Sequence, residues 1–144
     1  MDLGRSCGTA GSAPVGKYTI MSVATADDSG RVSAASVCYA FDPEGQVCFA
    51  ADKTTLKSKH LLKNPSVAVT MNDGGKTMMG IQIRGTAHAA VAPEKIAGLR
   101  KLLAERNPAV AQFYDNPQLI YWQVKSSETY LINFAWGVEW RQKV

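Results

Sequence analysis

Apolar residues alternate with small or polar residues along several short stretches of the chain, a spacing that is typical of β-strands. Within residues 31–41, large apolar side chains alternate with small ones. The turn-forming tetrapeptides DDSG (27–30) and DPEG (42–45) bound this stretch. The pattern predicts a three-stranded meander, with strands over residues 18–23, 31–41 and 46–51.

Two other segments have the apolar spacing of amphipathic helices. The first covers residues 54–64 and ends at Asn64-Pro65, and the second covers residues 93–106 and begins at Pro93. A weaker helix is predicted over 109–114. Further strands are predicted at 66–71, 80–91, 119–124 and 130–134, with a tight turn at 126–128 between the last two. Since strands dominate, the expected class is mainly β, an antiparallel barrel of six to seven strands with short helices.

The length of 144 residues and the 46% hydrophobic content suit one domain with a real core. We expect a single domain over residues 17–144, preceded by a mobile N-terminal arm over residues 1–16. Apolar runs are far shorter than the ~20 residues of a membrane span, and residues 1–16 lack the apolar stretch of a signal peptide. The expected protein is cytoplasmic and has no membrane partner.

The net charge of +4 comes from basic residues that are scattered along the chain. Scattered charge favours a small anionic ligand over nucleic acid. Three cysteines without a Cys-x-x-Cys pair, and only two histidines, predict neither a disulfide framework nor a metal site. Cys38 and Cys48 are expected to be buried small residues, and no catalytic residue is assigned.

The most informative segment for function is AADKTTLKSK, residues 50–59. Here a strand ends in small residues, and hydroxyls and lysines gather where a helix begins with free N–H groups. Such a place attracts phosphate. The same residues also suit a threonine N-cap followed by solvated lysines, and the segment alone leaves both interpretations open.

Residues 20–72 resemble the front half of the pyridoxamine-phosphate-oxidase-like family. In that family a hydroxyl-x-Lys unit precedes a leucine and an Asn-Pro stop, and here Thr55-Leu56-Lys57 precedes Leu61 and Asn64-Pro65. The later stretch QIRGTA (82–87) resembles the next strand of the family. The resemblance covers residues 18 to 91 well and the last third loosely.

This resemblance implies a Greek-key split barrel that forms a homodimer and binds FMN in a groove between subunits. It places Lys57 and Thr55 on the phosphate, with Thr54, Ala50 and Ala51 beside the ribityl chain. It also lays the strand residues Ser33, Ala35, Ser36 and Val37 along the flavin ring. Gln82 and Arg84 would reach the flavin bound mainly by the other chain, and Trp136 would either contact the partner's flavin or act as a packing lid.

The leading hypothesis is therefore an FMN-dependent oxidoreductase that acts on a small molecule, with NAD(P)H as a candidate partner. Pyridoxamine-phosphate oxidation itself is not assigned, since this chain has Ser33, Ala34 and Leu56 where family members commonly carry arginines. The alternative is a non-enzymatic module that binds or senses flavin, haem or a deazaflavin. A haem binder would need His60, His88 or a methionine as axial ligand, although His60 is expected to be solvated. A nucleic-acid-binding barrel is suggested only by Tyr121-Trp122 near Lys125.

Overall fold

A computed structural model describes residues 20–72, 79–133 and 141–144. The described strands are β1 (Ile20–Ala26), β2 (Val32–Cys38), β3 (Ala40–Phe41), β4 (Val47–Asp52), β5 (Ser66–Asn72), β6 (Met79–Ala89), β7 (Leu119–Asn133) and β8 (Arg141–Lys143). The helices are α1 (Leu56–Lys63), α2 (Pro93–Arg106) and a 3₁₀ helix (Pro108–Asp115). The predicted arm, residues 1–16, and Trp136 lie outside the described residues.

All strand pairs in the described chain are antiparallel, in the order β2-β1-β5-β6-β7-β4-β3, with β8 added to β7. The two ends of this order, β2 and β3, are separated only by Tyr39, which is fully buried. One chain segment therefore forms both edges of the sheet, and the sheet must curl so that the edges meet. The predicted mainly β antiparallel barrel is confirmed. It has eight described strands where six to seven were predicted, because the predicted strand over 31–41 is divided at Tyr39 and a short strand, β8, is added to β7.

The predicted turn at residues 126–128 is wrong. Residues 119–133 form one continuous strand, which pairs with β6 from Trp122 to Asn133. Arg84 lies opposite Glu128 and Gly85 lies opposite Ser126, so Ser127 is an extra residue in a β-bulge. Serine-rich sequence suits turns, but the long partner strand offers hydrogen bonds throughout, and a bulge absorbs the extra residue without reversing the chain.

Strand β4 is buried on both faces. Its residues Val47, Phe49 and Ala51 pack into the barrel core, which also includes Trp122 and Ile81. The alternate residues of β4 face a second apolar cluster beneath the helices; this cluster comprises Ala40, Cys48, Ala50, Leu99, Leu103, Tyr114 and Tyr121. Because strands buried on both sides lack a polar face, β4 reads as a nearly continuous apolar run.

The helices follow their local sequence signals. Thr55 is the N-cap of α1, and its side chain accepts a hydrogen bond from the Ser58 N–H. Pro93 opens α2, and Leu99 and Leu103 are the buried residues of that helix. The predicted α2 bounds agree with the structure, and the weaker predicted helix is the 3₁₀ helix. No helix in the described ranges is long and apolar enough to cross a membrane.

The bulge makes a specific prediction about stability. A Cβ added at Gly85 would collide with the backbone of Lys125. We expect Gly85→Ala to lower the free energy of unfolding by about 1–3 kcal/mol, because strand backbones must shift to make room. Gly98→Ala is the control, since open space surrounds Gly98 in α2 and alanine favours helices by about 0.5–1 kcal/mol. Urea unfolding of the wild type and of both variants measures these free energies. A Gly85→Ala variant as stable as the wild type would contradict the close approach at the bulge.

Candidate ligand groove

A groove of about 320 Å³ lies where β2 and β4 end, between the start of α1 and the 3₁₀ helix. Its lining residues are Ser36, Val37, Cys38, Ala50, Ala51, Asp52, Thr55, Lys57, Val110, Phe113 and Tyr114. The groove thus brings together, from the predicted site, Ser36, Val37, Ala50, Ala51, Thr55 and Lys57. Their role in binding a cofactor stays a prediction.

The start of α1 forms the cationic end of the groove. The first-turn N–H groups of Leu56 and Lys57 have no intrahelical acceptor, as in any α-helix, and the first turn contains no acidic residue. The side chain of Lys57 lines the groove and has no ion-pair partner among the described residues. Free amide groups and one unpaired ammonium at a helix start attract an anion.

The two threonines use their hydroxyl groups within the chain. The Thr55 hydroxyl donates to the carbonyl oxygen of Asp52 at 2.7 Å while accepting from Ser58. Thr54 is exposed, and its hydroxyl donates to the Asp52 carboxylate at 2.8 Å. Thr54 does not line the groove. In this arrangement the donors that remain for an anion are Lys57 and the first-turn amides.

Asp52 is a groove residue that the sequence interpretation missed. Hydrogen bonds from the Thr54 backbone, the Asn116 side chain and the Thr54 hydroxyl lower the pKa of its carboxyl group. Asp52 is therefore ionised at neutral pH and places a negative charge in the same groove as Lys57. The sequence Asp-Lys-Thr is typical of a turn in which the aspartate side chain accepts a hydrogen bond from the backbone N–H two residues later. This local signal could have identified Asp52 as the residue that shapes the loop.

The 3₁₀ helix supplies an aromatic wall that the sequence interpretation also missed. Phe113 and Val110 are 45% and 42% exposed, large values for such apolar side chains. The Phe113 ring packs edge-on against Tyr114 with centroids 5.3 Å apart. Tyr114 is buried, and burial raises the pKa of its phenol. The Phe-Tyr pair within an apolar short helix was the available sequence signal.

The thiols are unreactive in this setting. Burial raises the pKa of Cys38, which lines the groove, and burial together with the nearby Asp42 charge raises the pKa of Cys48 to about 12. Cys48 is fully buried and donates weakly to the Ala40 carbonyl oxygen at 3.4 Å. Both thiols are protonated at neutral pH, and protonated thiols are poor nucleophiles.

Other residues of the predicted site lie away from the groove of their own chain. Ala35 packs against the barrel core, and Ser33 pairs with Thr25 along β1. Gln82 and Arg84 are exposed on β6, and the Arg84 guanidinium lies 3.7 Å from the Glu128 carboxylate.

The expectation that His60 is solvated is wrong. His60 is only 8% exposed, and its Nδ1 atom lies 2.9 Å from the Thr25 hydroxyl oxygen, so the bond ties α1 to β1. A hydrogen-bond partner 35 residues away left no local signal. His88 is exposed, with Nε2 2.9 Å from the Thr86 hydroxyl. Neither histidine lines the groove, and the described ranges contain no cluster of three or more potential metal ligands.

Tyr121 and Trp122, which suggested a nucleic-acid surface, are 5% and 2% exposed. Their rings pack inside the molecule and are not available to stack on bases.

A curled antiparallel barrel with a groove between its strand ends and a helix start defines a split-barrel protein. A family model described as pyridoxamine 5'-phosphate oxidase matches residues 13–133. The chain belongs to the pyridoxamine 5'-phosphate oxidase family, and the resemblance drawn from residues 20–72 is confirmed.

Solved structures share the fold at low sequence identity. A haem binding protein from Mycobacterium smegmatis has a TM-score of 0.73 at 14% identity, with 99% of this chain and 57% of that one covered. The haem storage protein HutZ from Vibrio cholerae has a TM-score of 0.65 at 13% identity, covering 79% of this chain and 85% of that one. A candidate pyridoxamine 5'-phosphate oxidase from Listeria innocua has a TM-score of 0.67 at 13% identity, covering 83% and 93%.

A comparison with curated proteins gives no match. The structural likenesses show the fold alone, and their names include both haem proteins and an oxidase.

Proposed function

We propose that this protein binds FMN in the groove and uses it as a flavin-dependent oxidoreductase acting on a small molecule. The observation that carries the proposal is the placement of Lys57 and the α1 start at one end of the groove and of Phe113 in its wall. A cationic end beside an apolar, aromatic wall matches a ligand with a phosphate at one end and a flat ring at the other. Family membership supports the same ligand.

The residues present fit this group. Lys57 and the first-turn amides would hold the phosphate, and the small side chains of Ala50 and Ala51 let a ligand approach the backbone of β4. Phe113 and Val110 would exclude water from the ring. FMN, when bound, supplies hydride or electron transfer at its ring.

The described part of the groove offers no free base for catalysis. The raised pKa values of Cys38 and Tyr114 keep both groups protonated at neutral pH, and the Asp52 carboxylate is occupied by hydrogen bonds. We infer that the chain's residues bind and orient, and that a small-molecule substrate and NAD(P)H exchange electrons through the cofactor.

Haem binding is the second candidate function, since two of the structural neighbours are haem proteins. Haem iron takes axial ligands such as histidine, methionine, thiolate or tyrosine. The described groove lining contains neither histidine nor methionine, and its thiol and phenol would have to lose a proton, against their raised pKa values, to bind iron. These observations favour flavin over haem in this groove.

An exposed row of polar residues on the outer face of the sheet is the basis for proposing a homodimer. Ser36, Ser22, Thr70 and Gln82 stand in one cross-strand row, and all four are exposed. The row spans three strand spacings, about 14 Å, from the groove strand β2 to β6. A two-fold axis through this face would place Gln82 of one protomer near Ser36 of its partner, and isologous packing would cover both faces at once.

Replacing Lys57 tests the phosphate assignment. We expect Lys57→Met to weaken FMN binding about ten- to a hundredfold, since a charge-assisted hydrogen bond is lost, and to leave riboflavin binding unchanged. Lys59→Met is the control, because Lys59 is exposed on the same helix and does not line the groove. Fluorescence titration measures both ligands. Equal wild-type affinity for FMN and riboflavin would rule out a phosphate site.

Absorbance spectra distinguish the two candidate cofactors. Haem added to the purified protein should keep the spectrum of free haem, because the described groove offers neither histidine nor methionine as an axial ligand, whereas FMN should show a shifted visible band on binding. A sharp, shifted haem band that titrates at one equivalent would replace the flavin proposal with the haem alternative.

The dimer model predicts that Arg84, though outside the groove of its own chain, affects flavin binding. Arg84→Ala should weaken FMN binding about tenfold, whereas Arg31→Ala, in an exposed turn, should not. Light scattering across a dilution series, with flavin fluorescence measured alongside, gives the oligomeric state. A monomer that retains FMN would show that the groove is complete within one chain.

A further inference from the structure

The two walls of the groove are tied together by a side-chain hydrogen bond across 64 residues of sequence. The Asn116 side-chain amide donates to Oδ2 of Asp52 at 2.9 Å. A backbone bond lies beside it, in which the Lys53 N–H donates to the Gln118 carbonyl oxygen at 3.0 Å. The loop that leads into α1 is therefore attached directly to the chain that follows the 3₁₀ helix.

On the α1 side, Asp52 organises the whole loop. Its Oδ1 atom accepts from the Thr54 N–H at 2.9 Å and from the Thr54 hydroxyl at 2.8 Å. Its backbone oxygen accepts from the Thr55 N–H at 3.0 Å and from the Thr55 hydroxyl at 2.7 Å. Because Thr55 is the N-cap of α1, the position of Asp52 sets where the helix and Lys57 begin.

On the other side, Asn116 ends the 3₁₀ helix. Its backbone N–H donates to the Phe113 carbonyl oxygen at 3.3 Å, and its Oδ1 accepts from the Gln118 N–H at 2.9 Å. The amide orientation of Asn116 follows from these partners, since Oδ1 is occupied and Nδ2 must face the carboxylate. Asn116 thus fixes the turn immediately after Phe113 and Tyr114.

We propose that Asp52 and Asn116 are a pair of positioning residues that hold the cationic end and the aromatic wall of the groove at a fixed separation. The proposal rests on the proposed function in taking FMN as the ligand that spans both walls. The Asp52 carboxylate accepts hydrogen bonds from the Thr54 N–H, the Thr54 hydroxyl and the Asn116 amide, and these bonds position the two walls. The pair acts through Lys57 and Phe113 on the ligand.

A swap of the two side chains tests the pair. In Asp52→Asn the single amide oxygen is needed by the Thr54 N–H, so the new NH₂ group faces the Asn116 NH₂ group and no bond forms between them. In Asn116→Asp two carboxylates face each other and the donor is lost. The double variant, with both changes, restores an amide-to-carboxylate bond, with the direction of donation reversed. The second oxygen at position 116 can still accept from Gln118.

We expect each single variant to weaken riboflavin binding about tenfold, because the walls lose their alignment and riboflavin has no phosphate charge. FMN binding should weaken too, by less in Asp52→Asn, which removes a negative charge, and by more in Asn116→Asp, which adds one. The double variant should return to within about threefold of the wild-type affinity. Single variants that bind like the wild type would overturn the proposal. So would a double variant whose affinity falls by the product of the two single-variant factors, because the two side chains would then act independently. Loss confined to FMN would also overturn it, since only the phosphate end would then be affected.

Hydrogen exchange of the ligand-free protein gives a readout that does not depend on flavin. Both single variants should speed amide exchange in both 53–58 and 108–116, and the double variant should restore protection. Faster exchange only in the segment that carries the substitution would refute the coupling. Asp27→Asn is the matched control, because Asp27 accepts from Ser29 and Arg31 in a similar turn outside the groove.

The two assays separate the two proposals. If the wild-type protein binds neither FMN nor riboflavin, the proposed function fails, and the exchange data alone decide whether the pair couples the walls.

Discussion

The closure of the sheet on a single chain segment is the constraint on which the rest of the molecule depends. Because β2 and β3 are the two ends of the sheet and only Tyr39 separates them, the sheet has to curl around a common core. Closure places the ends of β2 and β4 next to each other, and small residues at those ends leave a groove instead of a packed corner. The groove proposed as the ligand site is thus a consequence of how the barrel closes.

Opposite charges meet in that groove. Lys57 and the α1 amides favour an anion, while the ionised Asp52 opposes one, so the local field at the helix start is weaker than the lysine alone would produce. The hydroxyls of Thr54 and Thr55 are committed to Asp52 and do not add donors. In the proposed complex, binding would depend on the alignment of the two walls and on apolar contact with the ring as much as on charge.

The fold alone does not choose between flavin and haem, since the structural neighbours include proteins named for haem and one named for an oxidase reaction. The proposal of flavin comes from the side chains. His60 of α1 is hydrogen-bonded to Thr25 of β1, and His88 lies on the outer surface of β6, so the described groove has an aromatic wall without an imidazole. This lining supports the proposed FMN over haem.

The sequence by itself determined the features that depend on near neighbours along the chain. The bounds of α2, a threonine at the start of α1 and the mainly β class follow from periodicity, capping and turn residues, which act within a few positions. Tertiary structure decided what depends on distant partners. Residues 126–128 resembled a turn until β6 provided a partner strand; His60 needed Thr25, and Asp52 needed Asn116. Such contacts join residues that are tens of positions apart, so their energy is set by the folded barrel and leaves no local pattern to read.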